Sequence, residues 1–361
     1  MDHPLIVRIT EVYESFDELF IVQELCHGGD LFDRLENRLD ESDLSGSTGL
    51  PFSEAQCAEY VKQMLAATGY LHSKNIVHRD IKLEHFMFST SESTELRMID
   101  FGFAKHLGAS GYTSGLAGTN YTQAPETLQG GRYNEKFDVW SIGVLTYLLM
   151  AGDVPFGSLD DPDSVKAVNF RQAIDHAPLV FEPTERWRLV SDEGKRFIKR
   201  LLNRDPSQRP SAAEAMEDPW IVDWARQEAN QNQQLSPETL QSLMAFKESS
   251  EMQRLLSEVL SYTLLPEQIS GLRDEFAKID KNGSGLITLA SLKQVLMLGA
   301  RGPFWFLTEH DVEEIFDSIK ISKNETTIRW HEFVAAGFSK AQYDDRNMRL
   351  AFERLDTAHN G

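Results

Sequence analysis

Two short runs, His78-Arg79-Asp80-Ile81-Lys82 and Asp100-Phe101-Gly102, constrain this chain more than any other feature. A carboxylate and a lysine two residues apart, with a second carboxylate twenty residues after the first, supply what phosphoryl transfer to a hydroxyl needs. In such a site Asp80 takes the proton of the attacking alcohol and Lys82 neutralises charge on the moving phosphoryl group. Asp100 holds a divalent ion against nucleotide phosphates. The chain must therefore fold so that Asp80 and Asp100 converge on one cleft. Gly118-Thr119 and Ala124-Pro125-Glu126 follow in order, which makes chance agreement remote.

At 361 residues the chain has room for two or three domains, each with its own core. Ile6-Val7-Arg8 through Ile21-Val22-Gln23-Glu24-Leu25 reads as two strands joined by a polar turn containing Glu14, Asp17 and Glu18. Gly28-Gly29-Asp30 opens a helix carrying Leu31, Phe32 and Leu35. Residues 39–50 read as a polar, Gly/Ser-rich loop, and Ser53 with Gln56 as the capping box of a long helix ending near His72. From Asp138 to Met150 the chain is apolar almost all round, which predicts a helix buried on most sides. Two strands followed by many helices, to about Trp220, predict an α+β domain whose larger part is helical. After Trp224 the run Asn230 to Gln234 contains only Gln and Asn and reads as a linker. Amphipathic helices follow, with Leu240, Leu243, Met244, Leu255, Leu256, Val259 and Leu260 at helical spacing. From Pro266 onward the order helix, polar loop, helix repeats at roughly 35 to 40 residues.

Asp280-Lys281-Asn282-Gly283-Ser284-Gly285-Leu286-Ile287-Thr288 fits the first nine positions of an EF-hand loop. Its oxygen donors are Asp280, Asn282, Ser284 and the Leu286 carbonyl, with Thr288 at the ninth position. Gly285 makes the sharp turn and Ile287 pairs with a partner loop. The twelfth position, where a bidentate glutamate belongs, is Ser291, so Ca²⁺ binding should be weak; a purely structural loop fits the same residues. A second unit, Thr308 to Phe338, has Glu332 at its twelfth position but Ile321, Lys323 and Glu325 where ligands should start, and Thr326 in place of the turn glycine. That pattern predicts a packing partner without an ion. A third unit starts at Asp356-Thr357-Ala358-His359-Asn360-Gly361, with Ala358 at a ligand position.

On these motifs the chain resembles a calcium-dependent protein kinase of the plant and protist type, with the calmodulin-dependent kinases as near relatives. The resemblance covers nearly the whole chain. It implies a kinase domain at 1–224, a linker and autoinhibitory junction helix at 225–265, and an EF-hand domain at 266–361. It also implies transfer of the ATP γ-phosphoryl group to protein serine or threonine, with Mg²⁺ and Ca²⁺ as the ions. Thr119 then supports the catalytic loop, Glu126 pairs with a buried Arg209, and Asp138, ahead of Trp140, braces the loop. Glu24 and Cys26 fall at the adenine-holding hinge, and Asp30 where a carboxylate meets ribose or a substrate arginine; a helix-start carboxylate suits Asp30 equally. Arg79 would anchor a phosphate on Thr113 or Ser114, although a loop of small polar residues has the same sequence without that role. The junction, roughly Ser236 to Leu265, would contact the EF-hands and occupy the cleft until calcium frees it. Its basic residues are Lys247 and Arg254 against Glu238, Glu248, Glu251 and Glu258, so it makes a poor basic pseudosubstrate; an amphipathic packing helix explains the pattern as well.

Two departures stand against the resemblance. His85 occupies the position of an asparagine that binds a second Mg²⁺, and imidazole is a poor substitute for a hard cation's oxygen ligand. Leu83, where proline is usual, is milder. The family's glycine-rich loop, strand lysine and helix glutamate would all precede His3, so the resemblance implies a chain lacking most of the small lobe and its last EF-hands, with little turnover. A pseudokinase acting as a calcium-responsive or protein-binding scaffold is the alternative. The net charge of −20 argues against nucleic acid or an anionic membrane as partner. Most of the acidity falls within residues 1–220, which suits a basic protein substrate or simply a well-solvated surface. Cys26 and Cys57 have no metal-ligand spacing, which excludes a disulfide framework and points to a reducing, cytoplasmic setting. No apolar run approaches the ~20 residues of a membrane span.

Overall fold

The computed structural model describes residues 2–45, 49–115, 117–128, 130–159, 167–182, 184–229, 235–297, 307–322, 324–338 and 345–355. The Asn230 to Gln234 run, Lys323 and the third loop at 356–361 lie outside these residues. Tertiary contacts group the chain into two units: Cys26–Ala229, and a second built from Met1–Leu25 together with Asn230–Gly361.

In the first unit the helix Leu31–Ser45 starts where Asp30 Oδ1 accepts the Asp33 amide at 2.8 Å. It runs on into the stretch expected as a loop from residue 39. Leu31 and Leu35 are buried on one face and Leu39 extends it to the Gly152 turn, so burial of an apolar stripe outweighs the polar composition. The Glu54–Ser73 helix has the expected Ser53/Gln56 capping box. Lys136–Ala151 is buried from Phe137 to Ala151, as its unbroken apolar run requires, and stops at Gly152 in the left-handed conformation.

Two short antiparallel pairs are nested around the motifs. Phe86–Phe88 pairs with Leu96–Met98, and outside it Ile76–Val77 pairs with Lys105–His106. Residues 78–85 thus bridge one side of the nest and residues 99–104 the other. Loops that interrupt the same two ladders must face each other, so local pairing alone sets Asp80 opposite Asp100.

In the second unit Leu286–Thr288 pairs with Thr327–Arg329, placing Ile287 against Ile328, both fully buried. Helices Pro266–Ile279, Leu289–Met297, Glu309–Ile319 and Trp330–Gly337 flank this pair. Leu240, Leu243 and Phe246 of the helix Pro237–Lys247 enter the same core as Phe276, Ile315 and Phe333. Lys247 is paired with Glu314 and Asp311 of the same unit.

By contact the first 25 residues group with the helices after residue 230. The reason is a set of polar anchors. The Arg8 guanidinium donates to the Ser261 and Leu264 carbonyls, satisfying a helix end. Glu24 and Arg273 form a buried ion pair at 3.3 Å, and the Arg8 amide donates to Glu24 as well. Ile6 and Val7 are buried ahead of the first strand rather than within it. The hairpin itself runs Ile9–Glu14 and Leu19–Gln23, with the expected polar turn between. Glu24→Ala should therefore destabilise this unit by about 3 kcal/mol, because it removes the carboxylate of a buried ion pair. A urea melt following the unit's tryptophan signal reads this, and an unchanged midpoint would show that the pair contributes nothing.

His331 meets Asp2 in the same unit. Burial disfavours the charged ring, but the hydrogen bond and charge of Asp2, with Glu332 and Glu258 nearby, hold its pKa above the ordinary histidine value. Since the folded state has the higher pKa, this contribution is complete below the ordinary value and lost as pH rises through the raised one. Asp2→Asn should flatten the change in unfolding midpoint between about pH 5 and about pH 8.

Candidate functional site: two carboxylates about one imidazole

Asp80 is buried, and its Oδ1 accepts both the Thr119 amide and the Thr119 hydroxyl at 2.8 Å. The approach depends on Gly118, whose φ is 91° and where a Cβ would lie 2.3 Å from the Arg79 carbonyl. Arg79 and Asp100 both adopt left-handed backbone, with φ of 69° and 57°. Such conformations cost side-chain-bearing residues energy and persist only where the surroundings fix them. Asp138 supplies that fixation at Arg79. Its carboxylate, fully buried, accepts the His78 amide at 2.9 Å, the Arg79 amide at 3.0 Å and His72 Nε2 at 2.9 Å. His78 is buried beside Phe101, and burial holds its pKa below the ordinary value, so the ring is a neutral packing element.

His85 stands between the two carboxylates. Its Nδ1 lies 2.8 Å from the Asp80 carbonyl and 3.7 Å from Asp80 Oδ2, while its Nε2 lies 3.2 Å from Asp100 Oδ2. Asp100 Oδ1 accepts the Gly102 amide at 3.0 Å. The structure thus brings Asp80, His85 and Asp100 together, as the order of the motifs requires. Lys82 Nζ lies 3.8 Å from Glu84, whose carboxylate also accepts the Tyr121 hydroxyl at 3.5 Å. Burial, then the charge of Glu84, pushes the Tyr121 phenol well above its usual range. The bracing by His72 and the Tyr121–Glu84 contact were missed from sequence, since nothing in their spacing announces a partner far along the chain. The turn at Leu83–His85 carries the imidazole back over Asp80.

Arg209 is buried and grips Glu126 through both carboxylate oxygens at 2.7 and 3.0 Å, with its fork also donating to the Asn203 and Lys136 carbonyls. Asp30 caps its helix and bridges Met87 through its backbone. Cys26 opens the same unit, half-buried, whereas Glu24 falls in the other unit with its carboxylate on Arg273. Arg79 donates to the Phe103 carbonyl and the Tyr133 hydroxyl. Thr113 is buried in a backbone bridge to Tyr133, while Ser114 is exposed.

In the loop after Ile279, Asp280 accepts the Ser284 amide and hydroxyl on one oxygen and the Gly285 amide on the other. Asn282 Oδ1 and the Leu286 carbonyl lie on Ser284, and Thr288 caps the next turn with Ser291. These are hard oxygen donors around one point, but with a single carboxylate among them. His3 seats on this loop, its Nε2 3.1 Å from the Gly283 carbonyl. In the partner loop Glu332 is buried and binds the Ile321 and Arg329 amides, so its oxygens close the loop themselves. Glu325 is paired with Arg329. Among the described residues no three His, Cys, Asp or Glu side chains gather as a metal site, and no helix is long and apolar enough to cross a membrane.

For a divalent ion beside these residues, Asp100 offers the oxygen that Mg²⁺ prefers, whereas His85 offers nitrogen and does not fit.

The family model described as protein kinase domain matches residues 1–221. Calcium-dependent protein kinase 5 of Plasmodium berghei (strain Anka) is 31% identical over the whole of this chain and 60% of its own length. CDPK-related kinase 5 of Arabidopsis thaliana is 29% identical over 99% of this chain and 56% of itself. Calcium-dependent protein kinase 31 of Arabidopsis thaliana is 30% identical over 99% of this chain and 69% of itself. The chain therefore spans under two thirds of the length of the first two of these relatives.

Proposed function

The chain belongs to the protein kinase family, with calcium-dependent protein kinases among its relatives, and from that premise we propose a serine/threonine kinase regulated by calcium. It transfers the ATP γ-phosphoryl group to protein hydroxyls, basic segments of its substrates being favoured by the acidic charge of this chain. Asp80 accepts the hydroxyl proton and Lys82 stabilises the transferring group. Cys26 and the Glu24 backbone serve the adenine hinge and Asp30 the ribose edge, while Asp138, Thr119, Arg79 and the Glu126–Arg209 pair hold the frame. The family uses ATP with Mg²⁺, and a divalent ion bound with the nucleotide neutralises phosphate charge. Residues 1–224 carry the kinase sequence, 225–265 the linker and junction, and 266–361 an EF-hand domain. Asp280, Asn282, Ser284, the Leu286 carbonyl and Thr288 are its ligands for a weakly held Ca²⁺. The Pro237–Lys247 contact with the second unit's core is the junction-to-EF-hand contact of this reading.

The observation that carries the proposal is the pair of motif carboxylates, each within 4 Å of the same imidazole. Radiolabelled transfer from ATP to a basic serine peptide, with and without Ca²⁺, tests it on the full chain. Asp80-dependent labelling supports the reading, and labelling that survives Asp80 replacement overturns it. A second reading, a nucleotide-binding scaffold without efficient turnover, is favoured by His85 and by Ser291. Nucleotide-dependent thermal stabilisation without any transfer would select it.

A further inference from the structure

Ser110 is exposed within a turn closed by the Gly111 amide, which donates to the Gly108 carbonyl at 2.8 Å. Gly111 has a φ of 70°, and a Cβ built there would meet nothing within 4 Å, so space opens around the turn. The Ser110 hydroxyl accepts from Arg132 Nη2 at 2.8 Å, and the guanidinium lies 5.6 Å from the Tyr112 ring centre. In a chain with 56 acidic side chains, Arg132 has no carboxylate partner among the described residues. A single neutral hydroxyl uses only part of its fork, and that planar, permanently charged fork matches phosphate geometry.

The neighbouring hydroxyls are not placed this way. Thr113 is buried and exchanges backbone hydrogen bonds with Tyr133 at 2.8 and 2.9 Å. Ser114 is exposed, but no arginine meets its hydroxyl among the described residues. Arg79 is committed to the Phe103 carbonyl and the Tyr133 hydroxyl.

We propose that Ser110 is a phosphorylation site and that Arg132 is the receptor for its phosphate. In the step that makes it, Ser110 Oγ bonds to the γ-phosphorus of ATP, and the bond from that phosphorus to the β-γ bridging oxygen breaks. ADP leaves, and the hydroxyl proton passes to the base of the transferring kinase. The phosphate then takes two parallel hydrogen bonds from the Arg132 fork. This joins residues 110 and 132 beside the Thr113–Tyr133 bridge, where the Tyr133 hydroxyl already donates to the Gly115 carbonyl at 2.7 Å and accepts from Arg79. The site does not depend on turnover by this chain.

The test places phosphoserine at position 110 of the full chain by amber suppression. Alkaline phosphatase should remove the phosphate at least about threefold more slowly than from the same protein carrying Arg132→Gln, the gain expected of an exposed charge pair. Amide exchange of residues 110–115 should slow on phosphorylation, and should not slow in Arg132→Gln. Equal removal rates with unchanged exchange overturn the proposal. Phosphopeptide mapping after incubation with Mg²⁺ and ATP identifies the source. Phosphate at Ser110 on the chain alone, absent from Asp80→Asn, supports the site with this chain as its own kinase. Phosphate only after a broad-specificity serine kinase is added supports the site and leaves the chain's own catalysis unsupported. No phosphate at Ser110 in either case overturns the site.

Discussion

Asp80→Asn is expected to lower phosphoryl transfer by roughly 10²–10⁴-fold, the usual worth of a positioned general base. The substitution is close to isosteric, and the amide oxygen can still accept the Thr119 amide and hydroxyl that hold Asp80 Oδ1. What is lost is an atom able to take a proton. Transfer should therefore fall while the thermal midpoint stays put. Steady-state labelling beside a melt separates the two, and a variant that keeps its rate would show that Asp80 is not the base.

Arg209→Ala should cost the first unit about 3–5 kcal/mol, among the largest effects a single change can have here. The guanidinium is fully buried and satisfies two Glu126 oxygens and two backbone carbonyls while lying 5.1 Å over the Trp140 ring. Removing it strands a carboxylate and two carbonyls and opens a cavity. Lysine should rescue little, since a point charge cannot reproduce the fork. Urea unfolding of both variants is the measurement; a loss below about 1 kcal/mol would mean that the pair is solvated in a way its burial does not suggest.

Much of the frame was legible without coordinates. Ser53 and Gln56 announced a helix start because a capping box is a local device, complete within four residues. The run from Asp138 to Met150 announced its own burial, since an all-round apolar helix has no face to give to water. Residues 39–45 are helical rather than loop because the stripe formed by Leu31, Leu35 and Leu39 outweighs their polar composition. His85 was visible as a departure from a pattern, but not as a bridge, because its meaning lies in two distances that only folding sets.

By itself, then, the order of residues determined which chemical groups are present, where helix caps fall, and that two motif carboxylates stand twenty residues apart. Tertiary structure alone decided that an imidazole separates those carboxylates, and that the first 25 residues join the helices beyond residue 230. Caps, turns and periodic faces depend on neighbours a few residues away and are written in sequence. Ion pairs such as Glu24 with Arg273 form between groups hundreds of residues apart, and which partner each finds depends on how the whole chain packs.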